Sequence, residues 1–383
     1  MSPSPPSSSS ASSPSNTPCC SSPPATYLSH PRFNRTHTFP ASPTHPELQI
    51  SYADVGRQPS RSASSDDIPT VLFIPGMFAT RFSAVWLHPI AERSGARVVV
   101  VDRFGMGKST DVLLEKRIST WLQLVPRLIA HLQIKTFALM SHSAGTVYAL
   151  NTLWHCRDLL GERPYLALLA PWVHPSISGV TSMQVASWLP TPIFSIWNQI
   201  PRLVVTQAMP ALALSGAVYN KTSSVITSGA FGGSSPDETK AVEVNRRKIE
   251  AGYGLSRDFQ AELDTELPRR IFSESTVGAN REALLCLKKG PEGLWGVCDD
   301  YEVFIKRLVE RERAERFKVK VRVFFAAEDS MVGVKGREYM DCCWKEQDEL
   351  DLESSIVPNT DHDSVLQSIE VLESVFREVA SRS

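Results

Sequence analysis

Short runs of apolar residues recur along the chain, and each is bounded by polar or turn-forming residues. Thr70-Val71-Leu72-Phe73-Ile74, Arg97-Val98-Val99-Val100-Val101, Phe137-Ala138-Leu139-Met140 and Tyr165 to Ala170 lack the alternation of a half-exposed strand. A strand buried on both faces has this pattern, and such strands are typical of the centre of a parallel sheet. Between the runs, Phe82 to Arg93, Ser119 to Leu132 and Ser143 to His155 carry apolar residues at helical spacing. Alternation of strand and helix predicts an α/β fold: a doubly wound, mostly parallel sheet with helices on both faces. Leu48 to Val55 reads as a leading strand that ends in a turn at Gly56, and a polar loop, Arg57 to Asp67, follows it.

The alternation stops at Pro171. Residues 174–317 mix prolines, aromatics and helical stretches, ending in a helix from Tyr301 to Phe317 whose run Glu310-Arg311-Glu312-Arg313 reads as a solvated face. The strand pattern then returns at Val319 to Ala327, followed by a helix (Gly336 to Lys345), a short strand (Glu353 to Val357) and a closing helix (Ser364 to Arg382). The expected organisation is a core of residues 47–173 and 318–383, interrupted by a largely helical cap or lid at 174–317. Residues 1–46 are rich in Ser and Pro and contain no acidic residue before Glu47. That composition predicts a disordered tail, because it offers little apolar surface to bury. No internal repeat is present.

Charge points to no particular partner. Lys and Arg total 40 against 41 for Asp and Glu, so no net field exists to attract nucleic acid or an anionic membrane. The most apolar region, Val180 to Val218, is broken by Pro190, Pro192, Pro201 and Pro210, which argues against a membrane span. Seven cysteines, with Cys19-Cys20 and Cys342-Cys343 adjacent, suit neither a disulfide framework nor a metal site. A reducing compartment follows. The cytoplasm is the expected one, with the mitochondrion as the alternative because the tail is poor in acid.

The chemistry concentrates at Met140-Ser141-His142-Ser143-Ala144-Gly145, where a buried strand runs into a helix. A sharp turn there lifts a serine above the sheet edge and turns the next backbone N–H towards a developing oxyanion. Ser143 is the expected nucleophile and Ala144 one oxyanion donor. Met77, after Pro75-Gly76 at the end of another buried strand, is the expected second donor. A base and its acid should follow in the order acid, then histidine. His362 is the only histidine beyond His174, and it lies between the last strand and the last helix. Asp329, at the end of the Val323 to Ala327 strand, is the expected acid; Glu328, Asp361, Asp363, Asp299 and Asp300 remain alternatives. Gly107-Lys108-Ser109-Thr110 ends like a phosphate-binding loop, but Asp102 stands where that motif needs glycine. His142 reads as packed beside the turn, and His88, His131 and His155 as structural.

Together these residues resemble the α/β-hydrolase superfamily over about residues 47–383. Ile50 to Gly56 looks like its opening hairpin, Pro75 to Arg81 like its oxyanion loop, and Asp102 to Ser109 like the turn after its fourth strand. Trp295-Gly296 with Asp299-Asp300 looks like the end of its cap, and Asp329 to Val332 and His362 match its acid and histidine motifs. Two departures stand out: Pro75 where histidine is common, and Ser141 where the turn usually has glycine. The resemblance implies hydrolysis of an ester, thioester or amide through a Ser143 acyl-enzyme, with neither cofactor nor metal, and it names no substrate; the proline- and aromatic-rich cap suggests a small, apolar one. Acyl transfer or cyclisation with the same residues, or a catalytically silent binding protein, are the alternative readings.

Overall fold

The computed structural model describes residues 23–59, 68–203, 236–345 and 349–382. Among the described residues, eight strands form one sheet: β1 (Arg35–Phe39), β2 (Leu48–Gly56), β3 (Thr70–Ile74), β4 (Arg97–Val101), β5 (Ala138–His142), β6 (Tyr165–Leu169), β7 (Val319–Glu328) and β8 (Leu350–Asp361). They lie in the order β1-β2-β4-β3-β5-β6-β7-β8. β1 pairs antiparallel with β2 and β2 antiparallel with β4, and every other pairing is parallel.

The apolar runs form the centre of this sheet because both of its faces are covered. Leu72, Ile74, Val99, Val101 and Leu139 turn towards the helices Arg117–His131, Gly145–His155 and Tyr301–Glu312. Their neighbours Val71, Phe73, Val98, Val100 and Met140 turn the other way, towards Ala84–Arg93 and Ile369–Ser381. Successive side chains of a strand point to opposite faces, so a strand between two helical layers must be apolar throughout.

The expected disordered tail holds for none of residues 23–46. Pro24–Leu28 is helical, and Tyr27, Leu28, Phe33 and Phe39 are buried. These few large apolar side chains outweigh the polar background: Tyr27 packs edge-on against Phe259, their ring centres 5.4 Å apart. Residues 1–22 lie outside the described residues. The opening hairpin is accordingly β1 and β2, and the ordered core begins well before residue 47. β8 is also longer than the short strand read at Glu353 to Val357. Its pairing with β7 slips between Ala326 and Glu328, which oppose Val357 and Asp361. The extra β8 residues form a bulge, with Asn359 at φ 55°, and a bulge of this kind re-aims the residue that follows it.

Between β6 and β7 the chain leaves the sheet. Its described part contains the helices Thr181–Trp188, Pro236–Tyr253, Arg257–Ser273 and Gly278–Cys286. Among the described residues no helix is long and apolar enough to cross a membrane.

Candidate active site

Three residues each stand one position beyond the end of a parallel strand: Ser143 after β5, Asp329 after β7 and His362 after β8. In an open α/β sheet the carboxyl ends of the strands share one edge, and ligands bind there. Ser143 Oγ lies 2.7 Å from His362 Nε2, and His362 Nδ1 lies 2.8 Å and 3.0 Å from the two carboxylate oxygens of Asp329. Asp329 is fixed in turn by the backbone N–H groups of Met331 and Val332, which donate to Oδ1 at 2.9 Å and 2.8 Å. The other acids have different work. Asp300 caps the helix Tyr301–Glu312, Asp299 faces Lys288, and Asp361 accepts from the backbone of Asp363 and Ser364.

The turn at Ser143 follows from its neighbours. Ser143 has φ 51°, a left-handed conformation that costs a non-glycine residue about 1–3 kcal/mol. It is held there by its own N–H, which donates to Leu169, and by its carbonyl, which accepts from Thr146. Gly145 is obligatory, since a Cβ on it would lie 2.2 Å from the Ile74 carbonyl oxygen. Ser141, by contrast, keeps its register with Ile74 and Leu168, so its Cβ is accommodated. Its hydroxyl is fully buried with no hydrogen-bond partner among the described residues.

Burial alone would lower the His362 pKa, but the charge of Asp329 and its hydrogen bond, helped by Asp363 and Asp361, raise it to about 9. Burial would raise the Asp329 pKa, yet His362 and the two backbone donors bring it below the usual carboxylate value. The pair therefore rests as imidazolium and carboxylate at neutral pH. His142 goes the other way: burial, then the neighbouring His362, lower it to about 3. Neutral His142 donates from Nε2 to the carbonyl oxygen of His362 at 2.7 Å, so it also helps to place the base.

Of the expected oxyanion donors, Ala144 follows Ser143 directly and Met77 lies on the loop after β3. That loop crosses close to the serine: a Cβ on Gly76 would lie 3.4 Å from the Cβ of Ser143. The Met77 side chain packs against a cluster of Phe194, Ala283 and Leu287 from the segment between β6 and β7, which Trp197 and Leu284 also join. The glycine-rich loop after β4 is structural, as expected. A Cβ on Gly107 would fall 2.0 Å from Asp102 Oδ2, and Asp102 is paired with the buried Arg81 at 2.6 Å.

Residues that sequence reading did not single out surround this loop. Arg103, Arg117, Tyr148 and Glu282 form a buried cluster. Tyr148 Oη donates to Glu282 at 2.6 Å, and Arg117 meets the same carboxylate oxygen at 2.6 Å. Partners 134 and 165 positions apart leave no local signal, and a basic residue beside Asp102 was the only hint.

A doubly wound sheet in this strand order, with serine, histidine and aspartate joined at its carboxyl edge and a sharp strand-to-helix turn at the serine, defines a class of α/β protein. A family model described as "Alpha/beta hydrolase family" matches residues 71–332. The chain belongs to the alpha/beta hydrolase family. Among solved structures, a carboxylesterase from the ammonia-oxidizing thaumarchaeon Nitrososphaera gargenis is similar at TM-score 0.50 and 13% identity, over 90% of this chain and 99% of that one. An epoxide hydrolase from Vigna radiata is similar at TM-score 0.51 and 15% identity, over 91% and 98%. At such identities the likeness is one of fold. No curated protein matches the sequence.

Proposed function

We propose that the chain is a serine hydrolase that cleaves an ester, or a related thioester or amide, of a small apolar molecule through an acyl-enzyme on Ser143. The observation that carries this reading is the unbroken hydrogen-bond chain from Ser143 through His362 to Asp329. Neutral His362 takes the proton of Ser143 as Oγ attacks the carbonyl carbon, and the resulting imidazolium protonates the leaving group. Asp329 holds the imidazole in the tautomer that presents Nε2 to the serine and stabilises its charged form. The N–H groups of Met77 and Ala144 receive the oxyanion, an interaction worth about 10²–10³ in rate for each donor. Water then repeats the sequence on the acyl-enzyme.

The segment 174–317 is proposed as a cap, with Phe194, Trp197, Leu284 and Leu287 beside Met77 as the apolar wall that selects the substrate. The carboxylesterase of the same fold agrees with an ester as the first bond to test. Labelling with a fluorophosphonate tests the reading. Wild-type protein is expected to be labelled on Ser143, with labelling lost in Ser143→Ala and His362→Ala. A folded, unlabelled wild type would overturn it in favour of a silent binding protein.

A further inference from the structure

The guanidinium of Arg103 is fully buried and spends its two terminal nitrogens on one turn of backbone. Nη1 donates to the Pro75 carbonyl and Nη2 to the Gly76 carbonyl, both at 2.7 Å. Gly76 O belongs to the same peptide unit as the N–H of Met77. In a planar trans peptide the C=O and N–H point in opposite directions, so fixing one fixes the other. A cationic donor on the carbonyl side also polarises the unit and strengthens the N–H as a donor.

The counter-charge comes from far along the chain. Glu282 lies on the helix Gly278–Cys286, within the segment between β6 and β7, and its Oε2 is 3.6 Å from Arg103 Nε. That helix is seated on the loop that carries Arg103. Gly278 N–H donates to Gly105 O at 3.0 Å, and a Cβ on Gly278 would come within 2.1 Å of Phe104 O. Arg117 and Tyr148 hold the other carboxylate oxygen, so Glu282 stays paired from both sides.

We infer that Arg103 is a positioning residue for the oxyanion hole, and that Glu282 couples the seating of the helix Gly278–Cys286 to that hole by setting the Arg103 fork beside the Gly76–Met77 peptide. The inference rests on the serine-hydrolase reading. It separates Arg103 from His362: the first governs the donor that meets the oxyanion, and the second governs proton transfer.

The test measures p-nitrophenyl ester hydrolysis across pH, and inhibition by a trifluoromethyl ketone, which forms a tetrahedral adduct, in wild type, Arg103→Met, Arg103→Lys and Glu282→Gln. For Arg103→Met, kcat is expected to fall about 100-fold, the loss seen when one oxyanion donor is removed. KM should stay within about twofold, since the ground-state carbonyl gains little from the donor. The ketone inhibition constant should rise by the same factor as kcat/KM falls, and the pH midpoint should not move. Arg103→Lys, which keeps the charge but not the fork, is expected to fall about 10-fold and decides the matter if Arg103→Met does not fold. Glu282→Gln should show the same signature at smaller amplitude. Wild-type kcat in a folded Arg103→Lys, or a loss accompanied by a shifted pH midpoint, would overturn the inference. A wild type that hydrolyses no ester and takes no fluorophosphonate overturns the serine-hydrolase reading itself; a labelled, active wild type with unaffected variants overturns this inference alone.

Discussion

The electrostatics of His362 set a pH dependence that one substitution should invert. With a pKa of about 9, only about 1% of His362 is neutral at pH 7, and activity that needs the neutral base rises about tenfold per pH unit up to that midpoint. Asp329→Asn removes the main raising charge and leaves burial opposed only by Asp363 and Asp361, so the His362 pKa is expected to fall to about its ordinary value of 6.5 or lower. Loss of the correct tautomer should cut the high-pH plateau by about 10⁴. The deficit is therefore largest above pH 9 and shrinks by about 100-fold near pH 6.5, where the wild-type base is nearly all protonated and the variant base is not. Profiles of kcat/KM from pH 5.5 to 10 on one ester would read this directly. A wild-type limb centred near 6.5, or a variant limb that stays near 9, would refute the assignment of Asp329 as the group that controls His362.

Four further outcomes follow from buried features. The raised pKa of His362 contributes stability that is full below its unfolded value near 6.5 and lost as pH rises through about 9. Melting temperature should fall across that window in wild type and not in Asp329→Asn, with an amplitude on the order of 3 kcal/mol. Ser141→Ala removes a buried hydroxyl with no partner and should stabilise the protein by about 1 kcal/mol in urea titrations, whereas Gly145→Ala should abolish fluorophosphonate labelling. Deleting residues 1–40 strips Tyr27, Leu28, Phe33 and Phe39 from the core; at about 1.5–3 kcal/mol for each buried side chain, the shortened chain should be several kcal/mol less stable by the same assay.

The sheet was legible where burial is two-sided. β3, β4, β5 and β6 are apolar at every position or nearly so, and their limits fall within a residue or two of the reading. β1, with the sequence Arg-Thr-His-Thr-Phe, and β8, with mostly exposed side chains, are edge strands, and an exposed edge has no reason to be apolar. The bulge at 358–360 further broke the period of β8. Ser143 was readable because a strand-to-helix turn needs a small residue at Gly145, and His362 because no other histidine was left. Arg81, Arg103 and Glu282 were not: a buried charge looks like a surface charge until its partner is known, and Arg81 meets Glu274 from 193 positions away.

The separation of Ser143 from His362, 219 positions, also orders events during synthesis. The turn at Ser143 rests on β3, β5 and β6, all of which precede β8 in the chain. His362 follows β8, so it is added to the chain long after the turn at Ser143 has been made. Until then the serine has no proton acceptor. On the serine-hydrolase reading, a nascent chain therefore carries Ser143 with an unactivated hydroxyl until His362 has been added and seated against it.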